Sequence, residues 1–265
     1  VLVFRRKTKI KKEKIIYILL LAVTISLFTP SKTMGKNYNL RGQVVKNNEK
    51  IVFLTFDDGP SANNTLRILN ILNKHNVKGS FFVVGSELEK YPNVVKELKN
   101  SDMCILPHSY SHNYKVIYKD TKSFFYDLNK CNAAIEKITG EKAKNYVRLP
   151  GGSDNLVSNA KVLVDIRNKL ISNGIDYVDW NVCSGDAISR TVDAKILKKN
   201  VINQCSMKDF AVILMHDGYY KTTTVDALSD TIEYLKENNF KFRTFDDLTI
   251  EERKKMIQLR LINRK

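Results

Sequence analysis

From residue 49 onward, short apolar runs alternate with segments whose apolar residues recur every three or four positions. The runs IVFLTFD (51–57), VKGSFFVVG (77–85), MCILPHS (103–109), YVRLPGG (146–152), YVDWNVCS (177–184), AVILMHD (211–217) and FKFRTFD (240–246) predict strands. Between them, Leu66, Ile68, Leu69 and Leu72 predict one helix, Phe124, Leu128, Cys131 and Ile135 another, and Leu228, Ile232 and Leu235 a third. Alternating β and α units predict an α/β fold with a parallel sheet covered by helices. The pattern itself leaves an open sheet and a closed barrel as alternatives. Both architectures place reactive side chains beyond the C-terminal ends of the strands. Those ends carry Asp57-Asp58, His108 with His112, Arg148 through Gly152, Asp186, and His216-Asp217. The remaining histidine, His75, closes a predicted helix, where a cation complements the dipole, and is expected on the surface.

Length and composition narrow the picture. A chain of 265 residues with 43% apolar residues buries one sizeable core and is not disordered. Its net charge of +16 suggests nucleic acid, but the distribution does not. Residues 1–14 hold seven Lys/Arg against one Glu, and residues 251–265 hold six against two. The body between is only mildly basic and has no basic, aromatic stripe for stacking bases, so no nucleic-acid partner is expected. After the basic start comes the apolar run Ile15–Phe28. It reads as a secretory signal and falls short of the roughly 17–25 residues of a spanning helix. No A-x-A site follows, so an uncleaved membrane anchor stays open. The expected organisation is a basic n-region (1–14), a signal or anchor (15–30), a linker (31–48), a catalytic domain (49–248) and a basic C-terminal extension (249–265), taken as a solvated helix. The four cysteines form no C-x-x-C pair, which excludes zinc-finger and thioredoxin chemistry; export allows a disulfide whose pairing the sequence does not give.

The tetrapeptide TFDD occurs twice, at 55–58 and 244–247. The first is followed by Gly59-Pro60, where glycine permits positive φ or close backbone approach. Adjacent strand-end carboxylates point opposite ways, so one can bind metal while the other faces water. The second precedes Thr249-Ile-Glu251-Glu252, a capping box before an apolar-periodic stretch, and reads as structural. His108 and His112 stand at i and i+4, which on a helical turn brings both rings to one side. Alone such a pair is commonplace. With a carboxylate from a neighbouring strand it supplies three ligands and leaves a fourth position for water. His216 fits a third metal ligand, a core residue or a general acid, and a general acid needs an orienting partner such as Asp186 or Asp179. Arg148 fits a partner that keeps a carboxylate ionised, or an exposed cation.

TFDDGP (55–60), HSYSH (108–112), RLPGG (148–152), WNVCSGD (180–186) and LMH (214–216), in this order, resemble the polysaccharide deacetylases of carbohydrate esterase family 4, the NodB homology domain. The resemblance implies a distorted (β/α) barrel of about seven parallel strands. It makes Asp57 the general base, His216 the general acid, Arg148 the partner of Asp57 and Asp186 the partner of His216. Asp58, His108 and His112 become the metal ligands, and Pro150, Gly151, Trp180 and Leu214 the substrate contacts. One divalent ion is implied, zinc first, with cobalt, nickel or manganese also accepted by such ligands. The chain departs from the family at Pro107, Gly151, Cys183 and Ala187. The expected activity is hydrolysis of N-acetyl groups from cell-wall N-acetylglucosamine polymers, foremost peptidoglycan, with chitin oligomers or poly-N-acetylglucosamine as alternative substrates. The alternative role is a catalytically weak wall-binding or sporulation-related protein. The expected setting is outside the cytoplasm, as a monomer, with the membrane reached through the N-terminal segment.

Overall fold

The computed structural model describes residues 49–264, so the expected n-region, signal or anchor and linker lie outside the described residues. Eight strands follow in these residues: β1 (Lys50–Asp57), β2 (Ser80–Val84), β3 (Cys104–Ser109), β4 (Tyr146–Val147), β5 (Asp176–Tyr177), β6 (Val182–Cys183), β7 (Phe210–His216) and β8 (Phe240–Arg243). The helices are α1 (Thr65–Lys74), α2 (Gly85–Lys90), α3 (Pro92–Asn100), α4 (Tyr114–Ile117), α5 (Thr121–Thr139), α6 (Ala160–Ser172), α7 (Ala194–Cys205), α8 (Thr222–Glu237) and α9 (Ile250–Gln258). The strand expected at 177–184 is therefore two short ones. Strand order is β3-β2-β1-β7-β6, with β8 also against β1, while β4 and β5 pair separately. Every pairing of these strands is parallel. The fold is an α/β distorted barrel in a single domain. No helix among the described residues is long and apolar enough to cross a membrane.

Strand alternation sorts the chain into two faces. Val52, Leu54 and Phe56 of β1, with Ala211, Ile213 and Met215 of β7, join the layer under the helices, where Ile68, Leu72, Leu228 and Ile232 meet them. The opposite parity faces inward. Phe53, Phe82, Cys104, Leu106 and Val212 form an inner cluster. Following that parity toward the C-terminal ends reaches Thr55 and Asp57 on β1, His108 on β3, and Leu214 and His216 on β7. The alternation that builds the core thus delivers the reactive side chains to one interior end.

The C-terminal segment corrects one expectation. It is no solvated appendage: Met256, Leu261 and Ile262 are fully buried in the inner cluster with Phe53 and Phe245. Residues 177–179 expose an unpaired backbone edge, and the chain covers it. Val178 bridges Ile262 in antiparallel sense, Asp179 N donates to Leu261 O (2.8 Å) and Asn263 N to Tyr177 O (3.0 Å). The capping box at Thr249 and Glu252 is formed as expected. The second TFDD is spent on this corner: Asp247 Oδ1 accepts from Thr244 N, and Asp246 pairs with Lys144. All four cysteines are free. His75 caps α1 half-buried, within 2.7 Å of Ser229 Oγ, rather than standing free on the surface.

Met256→Ala is expected to cost about 2–5 kcal/mol, as for other buried methionines. Urea unfolding checks it; a change below about 0.5 kcal/mol, typical of a surface position, contradicts the packing described.

Candidate active site

Asp57 ends β1 pointing inward and is buried. Arg148, just past β4, is fully buried beside it and is no exposed cation. Its Nη1 donates to Asp57 Oδ1 and to Thr55 Oγ1, both at 2.8 Å, and Nε and Nη2 donate to the carbonyls of Val178 and Asp179 at 3.3 Å. The guanidinium lies 4.2 Å from the Phe82 ring centroid. The chain turns at Asp58, which takes φ of 76°, and the conformational burden expected of Gly59 falls there instead. Gly59 is needed for close approach: a Cβ would lie 2.1 Å from Asp217 Oδ2.

The turn presents Asp58 to two histidines. Asp58 Oδ1 lies 3.2 Å from His112 Nε2 and 3.5 Å from His108 Nε2. One ligand atom from each of the three residues falls within 4.8 Å of the others. The histidine rings sit 5.2 Å apart, as the spacing suggested, but on a strand end and a turn rather than a helix. His112 has φ of 49°, and Asp127 fastens the turn by accepting from Ser109 Oγ, Tyr110 N and Ser111 N. His108 Nδ1 is 2.7 Å from Arg148 O. A carbonyl only accepts, so Nδ1 carries a proton, and Nε2 is the nitrogen that faces Asp58 and whose lone pair a metal would take on displacing any proton there.

These residues fit a divalent cation. Asp58 Oδ1 is buried and makes no hydrogen bond within the protein. Burial tends to raise its pKa, yet the contacts with His108 and His112 prevail and hold it well below the usual carboxylate range. An ionised oxygen and two imidazole nitrogens are a donor set for zinc, cobalt, nickel or manganese.

His216 ends β7 opposite Asp57. Its Nδ1 is 2.8 Å from Asp186 Oδ1, its backbone N donates to Asp186 Oδ2 at 2.7 Å, and Thr224 Oγ1 donates to the same oxygen at 2.9 Å. The choice between Asp186 and Asp179 is thereby decided: Asp179 accepts from Ser153 N and Oγ and leaves His216 alone. Burial of the ring favours neutral His216, but the hydrogen bond and charge of Asp186 prevail and push it up to about 9. The pair's stabilisation is complete below the ordinary histidine range and is lost as pH rises through about 9.

A cleft of about 380 Å³ joins these groups. Asp57, Asp58, His108, His112, His216, Gly151, Trp180 and Leu214 line it, while Arg148 and Asp186 brace it from behind. Pro150 does not line it; it is buried and its carbonyl accepts from Tyr118 Oη at 2.7 Å. Leu149, Tyr114 and Lys221 line the cleft and were missed. Tyr114 explains how the chain accommodates Gly151, which has φ of 79°: a Cβ there would meet the Tyr114 ring at 3.4 Å. The aromatic wall comes from another segment. Pro107 is also accommodated, since β3 is an edge strand whose register shifts beside it, after Val83. Asp217 was missed as a feature in its own right. It is buried under the Asp58–Gly59 turn, accepts from Thr65 Oγ1 at 2.6 Å, and burial pushes it up to about 7.

Comparison with known proteins agrees with this geometry. The family model described as polysaccharide deacetylase matches residues 44–172. A peptidoglycan-N-acetylglucosamine deacetylase of Bacillus cereus is 32% identical over 210 residues, 78% of this chain and 72% of that one. A peptidoglycan-N-acetylmuramic acid deacetylase of Bacillus subtilis is 28% identical over 213 residues, covering 80% and 76%. The solved catalytic domain of a peptidoglycan N-acetylglucosamine deacetylase from Eubacterium rectale superposes with a TM-score of 0.70 at 34% identity, over 75% of this chain and 90% of that one.

Asp186→Asn removes the charge that keeps His216 protonated. NMR titration of the His216 ring is expected to show its pKa falling to about 6.5 or lower. A value that stays near 9 contradicts the pairing.

Proposed function

Because this chain belongs to the polysaccharide deacetylase family of hydrolases, which here means N-deacetylation of cell-wall polysaccharide, we propose that its substrate is the N-acetylglucosamine of peptidoglycan and that it works with one divalent metal ion. The observation that carries this reading is the convergence of an Asp-His-His set, an Asp57–Arg148 pair and a His216–Asp186 pair on one cleft. The N-acetylglucosamine deacetylases of Bacillus cereus and Eubacterium rectale support the choice of sugar.

Asp58, His108 and His112 would hold the ion, zinc foremost. Bound there, it supplies Lewis acidity to the acetamide carbonyl and to water. Asp57 accepts a proton from the attacking water. Arg148 fixes its carboxylate by donating to Oδ1 from Nη1. His216 arrives protonated, since Asp186 stabilises the imidazolium, and with Nδ1 engaged it offers Nε2 to the substrate. Its proton goes to the amide nitrogen, which otherwise leaves poorly. The C–N bond breaks to give acetate and a free amine on the sugar. Trp180, Leu214 and Tyr114 shape the walls for the sugar and its acetyl methyl. Export rests on the basic-then-apolar pattern of residues 1–30.

The test is acetate release from purified peptidoglycan with added zinc, with mass analysis of the muropeptides produced. Wild-type protein is expected to yield glucosamine-containing muropeptides. Asp57→Asn is expected to lower kcat by about 10²–10⁴-fold, the range for loss of a positioned base. Unchanged release by Asp57→Asn removes the proposed base; products deacetylated at muramic acid overturn the choice of sugar.

A further inference from the structure

Asp179 leaves His216 alone, yet its side chain is buried, and a buried carboxylate needs donors and a counter-charge. Ser153 supplies the donors: its N reaches Asp179 Oδ1 at 2.9 Å and its Oγ reaches Oδ2 at 2.5 Å. Arg264, in the C-terminal segment, supplies charge, with Nε 3.5 Å from Asp179 Oδ2. Its Nη1 also donates to Asp154 Oδ2 at 2.7 Å. One guanidinium thus holds two consecutive residues of the loop after β4, Asp154 directly and Ser153 through Asp179.

That loop is a wall of the cleft. Gly151 and Gly152 line it, and a Cβ on Gly152 would lie 3.1 Å from the ring of Trp180, the residue after Asp179. The loop is braced from within, since Asn155 Nδ2 donates to Gly152 O at 2.9 Å and Asn155 Oδ1 accepts from Val157 N and Ser158 N. Holding Ser153 and Asp154 therefore places the whole wall. Arg264 is itself anchored: Nε donates to Arg260 O at 3.2 Å, and its carbonyl accepts from Tyr177 Oη at 2.6 Å. The side chains of Arg264 and Asp154 are 27% and 60% exposed, and a pair this open adds little to stability. What the guanidinium contributes is placement.

We propose that Arg264 is a positioning residue for deacetylation, acting through Asp179 and Asp154 to hold the Gly151–Gly152 wall against Trp180. The inference rests on the deacetylase reading of the cleft, because that reading makes the wall a substrate contact. Removing the guanidinium takes positive charge from beside the Asp179 carboxylate and frees Asp154, so the wall relaxes. The apolar packing of Leu261 and Ile262 is untouched by that change, because neither depends on the Arg264 side chain. A small displacement of a wall that orients substrate costs rate out of proportion to its cost in stability.

The experiment measures acetate release from peptidoglycan with added zinc, beside acrylamide quenching of fluorescence, for wild type, Arg264→Ala, Asp154→Ala and Arg253→Ala. Trp180 is the chain's single tryptophan, so its emission reports the wall without turnover. For Arg264→Ala, kcat is expected to fall about tenfold with KM little changed, the mark of lost orientation, and quenching to rise. Asp154→Ala, at an exposed position that leaves the core intact, is expected to show a smaller loss of the same kind. Arg253→Ala removes another ion pair of the same segment, to Asp176 at 2.7 and 2.8 Å, and is expected to keep wild-type kcat and quenching. Ser153→Ala combined with Arg264→Ala is expected to lose no more than the worse single variant, because both act through Asp179. Wild-type kcat and quenching in Arg264→Ala overturn the proposal. An equal loss in Arg253→Ala overturns it too, by reducing Arg264 to a general mooring, as do losses that multiply in the double variant. If wild type releases no acetate, the deacetylase reading is what fails for this substrate. Quenching then decides alone, and unchanged quenching of Trp180 in Arg264→Ala overturns the positioning role independently of turnover.

Discussion

A single buried cation holds this site together. Arg148 has no solvent exposure, and a guanidinium cannot shed its charge inside a protein, so the surroundings must satisfy it. They do so from three directions. Asp57 and Thr55 come from β1, the carbonyls of Val178 and Asp179 from the segment after β5, and the Phe82 face from β2. The same residue's carbonyl accepts a hydrogen bond from His108 Nδ1, and its amide donates to Pro107 O at 3.4 Å. One residue therefore fixes the base, sets the tautomer of a metal ligand and ties three parts of the barrel together. Removing one partner of such a pair strands the other charge in the interior, which is why the arrangement is all or nothing.

Around that hub, the reaction separates into two buried pairs with different tasks. Arg148 holds the carboxylate of Asp57 in place, while Asp186 favours the protonated ring of His216. A positioned carboxylate base and an acid kept loaded, side by side at the ends of neighbouring strands, are what amide hydrolysis requires near neutral pH. The partners of both, Arg148 and Asp186, are buried, so solvent screens neither pair strongly.

Much of this was legible in the sequence because the information is periodic. Alternation along IVFLTFD and AVILMHD fixes which side chains face inward, and the strand-end rule then gathers Asp57, His108 and His216. The metal set followed from residue types whose chemistry is narrow. What escaped depended on which distant segments touch. The run at 256–262 looks like a polar helix with a few apolar residues until the bare edge at 177–179 is seen beneath it. Tyr114 occupies space left by Gly151, a trade between segments 37 positions apart that no local pattern records. Pro150 was misplaced because successive residues of a turn do not share a direction, and the cleft-facing neighbour is Leu149. Asp217 directly follows His216 and sits beneath the Gly59 turn, and only the contact with Gly59 reveals its part in shaping that turn.

The central claim is that the Asp58 turn and the two histidines form one cation site beside the base. Anomalous diffraction at the zinc edge, on crystals grown with zinc, tests it most directly. The account predicts a peak about 2.0–2.2 Å from Asp58 Oδ1, His108 Nε2 and His112 Nε2, the ordinary range for zinc with oxygen and nitrogen ligands. A zinc peak elsewhere, with these three side chains left uncoordinated, would contradict it.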